Sequence, residues 1–294
     1  MVPKFASCVP ESPILRASLI GLLLFLGGLV APESSAQPIT GVHELASLPV
    51  PDCDGLDAGD IDGDGDLDLL ASASRRGTVF WFEQGRRPTE WTRHPVFTAG
   101  YEGPKIEGNA LGDFDGDGQL EGVSLDQATG RVLLHAAGDD PTAPWETVSI
   151  RTDRPILQDA LVADRDADGR PELMYTWEGD RKGRGGVHVL DFTGDSLLAP
   201  DGWEDRALVT HESAWWLAPR LFDLAGSGSR RDLVYTARHL LDRNPGSRPG
   251  LFWLEASEGN EDGRRHTIDN RLPHPLHVDA GRLLEPLHHL LRLP

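Results

Sequence analysis

The chain has 294 residues and a formal net charge of −19 at pH 7, from 47 acidic and 28 basic side chains. An acidic excess of this size argues against nucleic acid and anionic membrane surfaces as partners. Glycine (33) and proline (22) are frequent, and short apolar runs alternate with turn residues after residue 36, which predicts an all-β protein.

The first 36 residues resemble a secretory signal. Lys4 and Arg16 accompany a polar start, an apolar and glycine run covers residues 19–30, and small residues follow at 34–36. That run is too short to span a bilayer comfortably, so we expect cleavage after Ala36 rather than an uncleaved anchor, which is the alternative. The chain is therefore predicted to be secreted, periplasmic or on the cell surface, with no membrane span after cleavage.

An acidic motif of nine residues recurs along the rest of the chain at intervals of about fifty residues. It reads DIDGDGDLD from Asp60, DFDGDGQLE from Asp113 and DRDADGRPE from Asp164. A degenerate copy with one extra residue begins at Asp223. A period of this length indicates a repeat architecture in which each unit must stack on its neighbours.

The segments around the motif repeat as well. Each motif leads into a short apolar strand, a glycine-bearing turn and a second strand, as in propeller blades or β-solenoid coils. A tryptophan-led segment follows in three copies (Trp91, Trp145, Trp203), and residues 265–268 stand in its place in the fourth. The strands predicted directly after the motifs are 67–71, 120–125, 173–177 and 233–236, and the second strands are 78–83, 131–135, 186–190 and 250–255.

Calcium is the cation that suits this spacing. It takes about six to eight oxygen ligands, which acidic residues at the first, third, fifth and ninth positions and the seventh carbonyl can supply around a sixth-position glycine. The sequence predicts about three structural Ca²⁺ ions, no other cofactor and no catalytic residue. The predicted ligands are Asp60, Asp62, Asp64, the carbonyl of Asp66 and Asp68; Asp113, Asp115, Asp117, the carbonyl of Gln119 and Glu121; and Asp164, Asp166, Asp168, the carbonyl of Arg170 and Glu172.

Other interpretations of these loops fit less well. Magnesium demands octahedral geometry and keeps its waters, and a solvated acidic turn does not explain three copies in register. EF-hand and dockerin loops need an acidic ligand at the twelfth position and a helix after it. The twelfth residues here are Ala71, Ser124 and Tyr175, in or beside extended apolar stretches.

The fourth motif is predicted to keep its turn and lose its ion. Ala225 and Ser227 replace two of the ligand carboxylates. The extra residue is expected to move Asp232 out of register.

These loops resemble those of FG-GAP/VCBS repeats, which occur in integrin α-subunit propellers and in many bacterial exported proteins. The resemblance covers roughly residues 43–281, and residues 81–83, 91–94 and 252–255 are similar to a bacterial subgroup that includes propellers attached to sugar dehydratases and lyases. The resemblance implies a β-propeller in which the calcium loops are structural. Family propellers usually have more blades than the four and a fragment found here, so the ring is predicted to be incomplete or open.

The repeats are predicted to form blades at about 43–98, 99–151, 152–210 and 211–270, with a partial fifth blade at 271–281, all within a repeat domain over 37–281. The residues at 278–281 match the lead-in to the first loop at 56–59, but an aberrant tail over 282–294 follows. The tail is either a short amphipathic helix that covers a sheet edge or out-of-frame sequence. Either way, we expect an incomplete propeller that is marginally stable or self-associates.

Two classes of function fit the sequence. The first, which we favour, is a non-enzymatic exported module that binds a protein or glycan, because no catalytic cluster stands out from the repeat. The alternative is a carbohydrate-active enzyme, or a remnant of one, related to the propeller dehydratases and lyases. The sequence does not identify the ligand or the substrate for either class.

A few residues outside the loops carry secondary expectations. His94 and His266 occupy equivalent repeat positions, which favours packing over catalysis. Trp215–Trp216 could line a sugar-binding surface, although packing between blades is the simpler role. Cys53, the single cysteine after the signal, is expected to be buried and unreactive.

Overall fold

The computed structural model describes residues 52–87, 89–154, 156–178, 185–211, 216–222, 231–238, 250–256 and 263–270. The chain divides into two units, Met1–His43 and Glu44–Pro294, and every described residue belongs to the second. The predicted signal, the partial fifth blade and the tail lie outside the described residues.

Strands dominate the described residues, which contain two short 3-10 turns and no α-helix. They form four antiparallel sheets of four strands each. The strands are β1 (Cys53–Gly59), β2 (Asp68–Ala73), β3 (Thr78–Gln84), β4 (Trp91–Thr98), β5 (Ile106–Gly112), β6 (Glu121–Asp126), β7 (Arg131–Ala136), β8 (Glu146–Arg151), β9 (Leu157–Ala163), β10 (Glu172–Glu178), β11 (Gly185–Phe192), β12 (Trp203–His211), β13 (Trp216–Phe222), β14 (Asp232–Arg238), β15 (Gly250–Leu254) and β16 (Arg265–Asp269).

Each sheet is a meander of consecutive strands, so one sheet corresponds to one repeat. The first strand of each sheet packs against the first strand of the next, in the order β1, β5, β9 and β13. We call these four the inner strands. Sheets that meet along one edge strand in this way are propeller-like blades, and the prediction of an all-β fold built from such blades is confirmed.

The strands predicted after each acidic motif are confirmed as β2, β6, β10 and β14, and the second predicted strands as β3, β7, β11 and β15. The twelfth motif residues lie within strands, in agreement with the rejection of a helical EF-hand. The inner strands were not predicted. Two of them, β1 (CDGLDAG) and β5 (IEGNALG), are rich in glycine and in aspartate or asparagine, which have low β-propensity.

The hydrophobic core lies between successive sheets rather than within one. One cluster joins Ile61 and Trp81 of the first repeat to Trp145 of the second. The next joins Phe114 of the second repeat to Trp203 of the third. Trp145 and Trp203 are 6% and 7% exposed, so the repeated tryptophan of one unit completes the core of the unit before it.

Cys53 departs from its predicted environment. It lies at the start of β1 and is exposed, because this end of the inner strand borders a cavity rather than the core. Partial burial of the thiol, followed by the charge of Asp54, nevertheless raises the pKa of Cys53. The thiol is therefore accessible but poorly ionised at neutral pH.

Candidate metal centres in the acidic loops

The three intact acidic loops occupy the same place in their sheets. Each joins the inner strand to the second strand, and the ninth motif residue is the first residue of that second strand. Those ninth residues are Asp68, Glu121 and Glu172, which pair across the ladder with Gly59, Gly112 and Ala163.

The loops are held by a shared pattern of hydrogen bonds from backbone N–H groups to motif carboxylates. In the first loop the N–H of Gly65 donates to Asp60 at 3.1 Å and that of Asp64 to Asp62 at 3.1 Å. The second and third loops repeat both bonds at 3.0–3.2 Å. The fifth carboxylate accepts the N–H of the seventh residue in all three loops. Because the backbone folds around the side chains, the motif specifies the shape of the loop directly.

Two loop positions adopt a left-handed backbone. The sixth residue, glycine in every loop, has φ between 92° and 97°, as the motif predicted. The fourth residue is also left-handed, and its role was not predicted. It is Gly63 and Gly116 in the first two loops but Ala167, at φ 63°, in the third, so the third loop carries strain that a glycine would relieve.

The ninth carboxylate is buried and bonded back to the start of its own loop. Asp68 accepts the N–H of Ile61 at 2.9 Å, and Glu172 accepts that of Arg165 at 2.8 Å. Burial is the main cause that raises the pKa of Glu121 to about 8 and that of Glu172 to about 7; the backbone hydrogen bond opposes the rise, and the charges of nearby aspartates add to it. A carboxylate held this way favours a bound cation or a proton over an isolated charge.

The motif carboxylates converge closely enough to share one ion. In each group below, the ligand atoms lie within 4.8 Å of one another. The groups are Asp60, Asp62 and Asp68; Asp113, Asp115 and Glu121; and Asp164, Asp166, Asp168 and Glu172.

The position of the fifth-residue carboxylate differs between the third loop and the first two. Asp168 joins its group, whereas Asp64 and Asp117 do not lie within the same limit of theirs. Orphaned acceptors remain in the first loop, where a buried oxygen of Asp60 and one of Asp66 have no hydrogen-bond partner among the described residues. The seventh-position carbonyls of Asp66, Gln119 and Arg170 stay predicted ligands.

The fourth loop lies mostly outside the described residues, but its end is visible. Asp232 begins β14 and pairs with Phe222, as Asp68 pairs with Gly59. Its carboxylate accepts the N–H of Ala256 at 2.8 Å, the counterpart of the 2.9 Å bond from Gln84 to Asp68. Asp232 therefore keeps the strand pairing of the ninth motif residue despite the extra residue, and its loss as a metal ligand stays a prediction.

The second motif position has a role that sequence analysis missed. Ile61 and Phe114 are buried in the cores between sheets, and the Phe114 ring meets Trp203 edge-on at 5.2 Å. Arg165 takes this position in the third loop and is 8% exposed. An apolar residue between two aspartates could have indicated this packing role, because a fully solvated turn would not bury an apolar side chain.

His94 and His266 form matching clusters in the first and fourth sheets. Each ring stacks on a tryptophan, with centroids 4.5 Å apart for Trp81–His94 and 4.4 Å for Trp253–His266. Each also hydrogen-bonds a glutamate two residues after that tryptophan. These contacts anchor the third and fourth strands of a sheet to each other. Trp215 and the side chain of Trp216 lie outside the described part of the chain.

A buried ionic network in the third sheet was also missed. Asp205 of β12 contacts Nδ1 of His188 at 2.7 Å, Nη2 of Arg154 at 2.7 Å and the hydroxyl of Tyr175 at 3.1 Å. Burial opposes ionisation of Asp205, but the bonds from His188 and Arg154 outweigh it and hold its pKa below the usual range. The partners come from distant parts of the sequence, so no local motif marks them.

The described part of the chain contains no helix that could cross a membrane. No curated protein matches the chain. A family model described as an FG-GAP-like repeat matches residues 60–124, which run from the first acidic loop through the second and into β6. The third loop repeats the same hydrogen bonds outside the matched segment. Residues 60–124 are therefore similar to an FG-GAP-like repeat, and the rest of the described chain repeats the same four-stranded unit.

Proposed function

We propose that the protein is an exported binding module whose first three acidic loops hold structural calcium. The observation that carries the proposal is the convergence of three or four carboxylates within 4.8 Å in each loop. Asp60, Asp62 and Asp68 would hold the ion in the first loop, and the equivalent residues would do so in the other two. The ion would neutralise like charges and tie the inner strand to the second strand.

The donor set suits calcium rather than a softer metal. Every member of the three groups is a carboxylate, and hard oxygen ligands favour calcium or magnesium over zinc or copper. The buried Asp60 oxygen without a protein partner is available for an ion. Calcium tolerates the irregular spacing of such a loop better than magnesium does.

A binding role is the function we favour over an enzymatic one. FG-GAP-like repeats, which residues 60–124 match, are typical of binding and interaction modules. Among the described histidines, His94, His188 and His266 are engaged in packing and ion-pair contacts between strands. Export follows from the signal-like residues 1–36, and a protein or glycan partner remains part of the proposal.

Calcium dependence of thermal unfolding tests the metal sites. An ion that binds only the folded state at 100 times its Kd stabilises it by about 2.7 kcal/mol per site. We expect a chelator to lower the Tm of the full chain, calcium to restore it, and magnesium to restore it poorly. Identical melting curves with calcium and with chelator would contradict structural calcium.

Three variants, one of them a control, locate the sites. Asp62→Ala removes one ligand carboxylate and should reduce the calcium stoichiometry measured by calorimetry by one. Asp139→Ala is the matched control, because Asp139 is exposed and lies outside the loops. Ala225→Asp alone should add no site, since Ser227 still replaces a ligand in the fourth loop. An equal loss of binding in the Asp139 variant would mean that calcium is held by general surface charge.

A further inference from the structure

A polar cavity lies where the inner strands meet. It has a volume of about 510 Å³ and is bounded by β1, β5 and β9, with Arg220 of β13 at its edge. A second cavity of about 420 Å³ shares Asp54, Glu107 and Gln158 with the first. The two are therefore adjacent, and we call them together the inner cavity, which lies away from the acidic loops.

Three inner strands are bulged where they face this cavity. The ladder register shifts in β1, β5 and β9, and each shift leaves extra residues on the inner strand. The extra residues are Asp54, Gly108 and the pair Gln158–Asp159, and all of them line the inner cavity. A bulge re-aims side chains and is often found beside a functional site. Its recurrence in three repeats makes the cavity a built feature of the fold.

Gly108 permits the close approach of two inner strands. Its φ of 51° is in the left-handed region, and a Cβ there would lie 3.0 Å from the carbonyl oxygen of Gln158 and 3.1 Å from the amide of Ala160. A larger residue would push β5 away from β9 and widen the cavity.

Two amide oxygens in the inner cavity are buried without a partner among the described residues. Asn109 is 5% exposed, and its Nδ2 donates to the carbonyl of Gly55 at 3.1 Å. That bond fixes the orientation of the amide, and its Oδ1 is left unsatisfied. The Oε1 of Gln158 is likewise unsatisfied. Buried acceptors of this kind cost free energy unless a donor reaches them.

The charge of the lining is negative. Among the described lining residues, acidic side chains outnumber basic ones: Asp52, Asp54, Asp57, Glu107, Asp159 and Glu178 against Arg75, Lys105 and Arg220. Arg220 pairs with Asp159 at 3.2 Å, and Lys105 pairs with the buried Glu107. Asp54 makes no hydrogen bond or ion pair with the other described residues, and it is exposed to the cavity. Burial raises the pKa of Glu107, Lys105 opposes that shift, and the charge of Asp54 adds to it.

We propose that the inner cavity binds a ligand carrying a primary ammonium group. Such a group has three donors and a positive charge, which match the acceptors of Asn109 and Gln158 and the carboxylate of Asp54. The site goes beyond the proposed calcium loops and does not depend on them.

Two other ligand classes fit less well. Among the described residues, the carboxylate groups compact enough to share a metal ion all lie in the acidic loops, and the cavity is far larger than one ion. The described residues that line the inner cavity include no aromatic side chain, so they offer a sugar ring no stacking surface.

Calorimetric titration of the calcium-saturated full chain tests the site. The probes are 1,4-diaminobutane, its neutral analogue 1,4-butanediol and a lysine-containing pentapeptide, all at constant ionic strength. We expect the diamine or the peptide to bind and the diol not to bind. Tighter binding of the peptide would identify a protein lysine as the source of the ammonium group, and tighter binding of the diamine a free amine.

Two variants connect binding to the inner cavity. Asp54→Asn and Asn109→Leu should each weaken amine binding roughly tenfold, in line with loss of a charged hydrogen bond. Asp54 is exposed, so its variant should fold even where that of the buried Asn109 does not. Asp139→Asn removes one negative charge elsewhere and should leave binding unchanged. The proposal is overturned if no amine binds, if the diol binds equally, or if Asp139→Asn has the same effect as Asp54→Asn. Calcium stoichiometry, measured separately, should be unaffected by either cavity variant.

Discussion

The boundary between the second and third sheets differs from the boundary between the third and fourth. At the former, the second loop residue Phe114 is fully buried against Trp203 of the next repeat. At the latter, Arg165 takes the equivalent position, and the fourth repeat has no matching tryptophan. Yet the third loop keeps the four hydrogen bonds that all three loops share. The loop motif and the packing between sheets are therefore separable properties of the repeat.

Of the substitutions that test this difference between boundaries, Phe114→Ala should change the free energy of unfolding most. Truncation of a fully buried phenylalanine leaves a cavity beneath Trp203 and should lower the free energy of unfolding by about 3–5 kcal/mol. Chemical denaturation followed by tryptophan fluorescence measures the loss. Arg165→Ala serves as the control at the equivalent position. If both substitutions lower the free energy of unfolding equally, burial at the second loop position does not distinguish the two boundaries.

The first boundary contains a buried histidine that should make it sensitive to acid. His135 is fully buried, bonds Ser124 and Thr147 at 2.8 Å, and contacts the Phe97 ring of the first sheet at 5.5 Å. Burial lowers the pKa of His135 to about 3. The unfolded chain, with a pKa near 6.5, then binds the extra proton, so stability falls as pH falls.

Between pH 7 and pH 5 this histidine alone should cost about 2 kcal/mol of unfolding free energy. His135→Phe introduces the residue type found at the equivalent Phe82 and removes the titration. Its absolute stability will change, so the measurement is the slope of unfolding free energy against pH. An equal slope in the variant and the parent protein would assign acid sensitivity to other groups.

Arg165→Met should have the smallest effect, and in the opposite direction. Two guanidinium nitrogens of Arg165 are buried without hydrogen-bond partners among the described residues. Burial, and then the charge of Arg206, lower its pKa. A methionine removes the buried charge and keeps the backbone bond to Glu172, so we expect stabilisation by roughly 1 kcal/mol. If chemical denaturation shows that the variant is markedly less stable, the guanidinium of Arg165 has hydrogen-bond partners in the folded protein.

Sequence analysis predicted those parts of the fold that repeat in a local pattern. The acidic motif and the apolar strands on either side of the glycine turns recur in register, and β2, β3 and their equivalents follow from them. The inner strands β1 and β5 escaped prediction because glycine, aspartate and asparagine replace the usual β-formers there. Their strand conformation is set by tertiary contact with neighbouring inner strands, which overrides local propensity.

The candidate sites divide in the same way. The converging carboxylates could be named from spacing alone, since the motif folds on itself. The inner cavity could not, because Asp54, Asn109 and Gln158 lie in three different repeats and belong to no local motif. Only the packing of β1 against β5 and of β5 against β9 brings them together.

The ninth carboxylate has a consequence for how such repeats can decay. In Asp68 one oxygen accepts the N–H of Ile61 and the other that of Gln84, so a single side chain fastens the loop to the third strand. Asp232 keeps the second of these bonds in a loop whose other acidic positions are largely replaced. This carboxylate therefore has a role in folding that does not require a bound ion. A search for degenerate copies of the motif should begin from this aspartate.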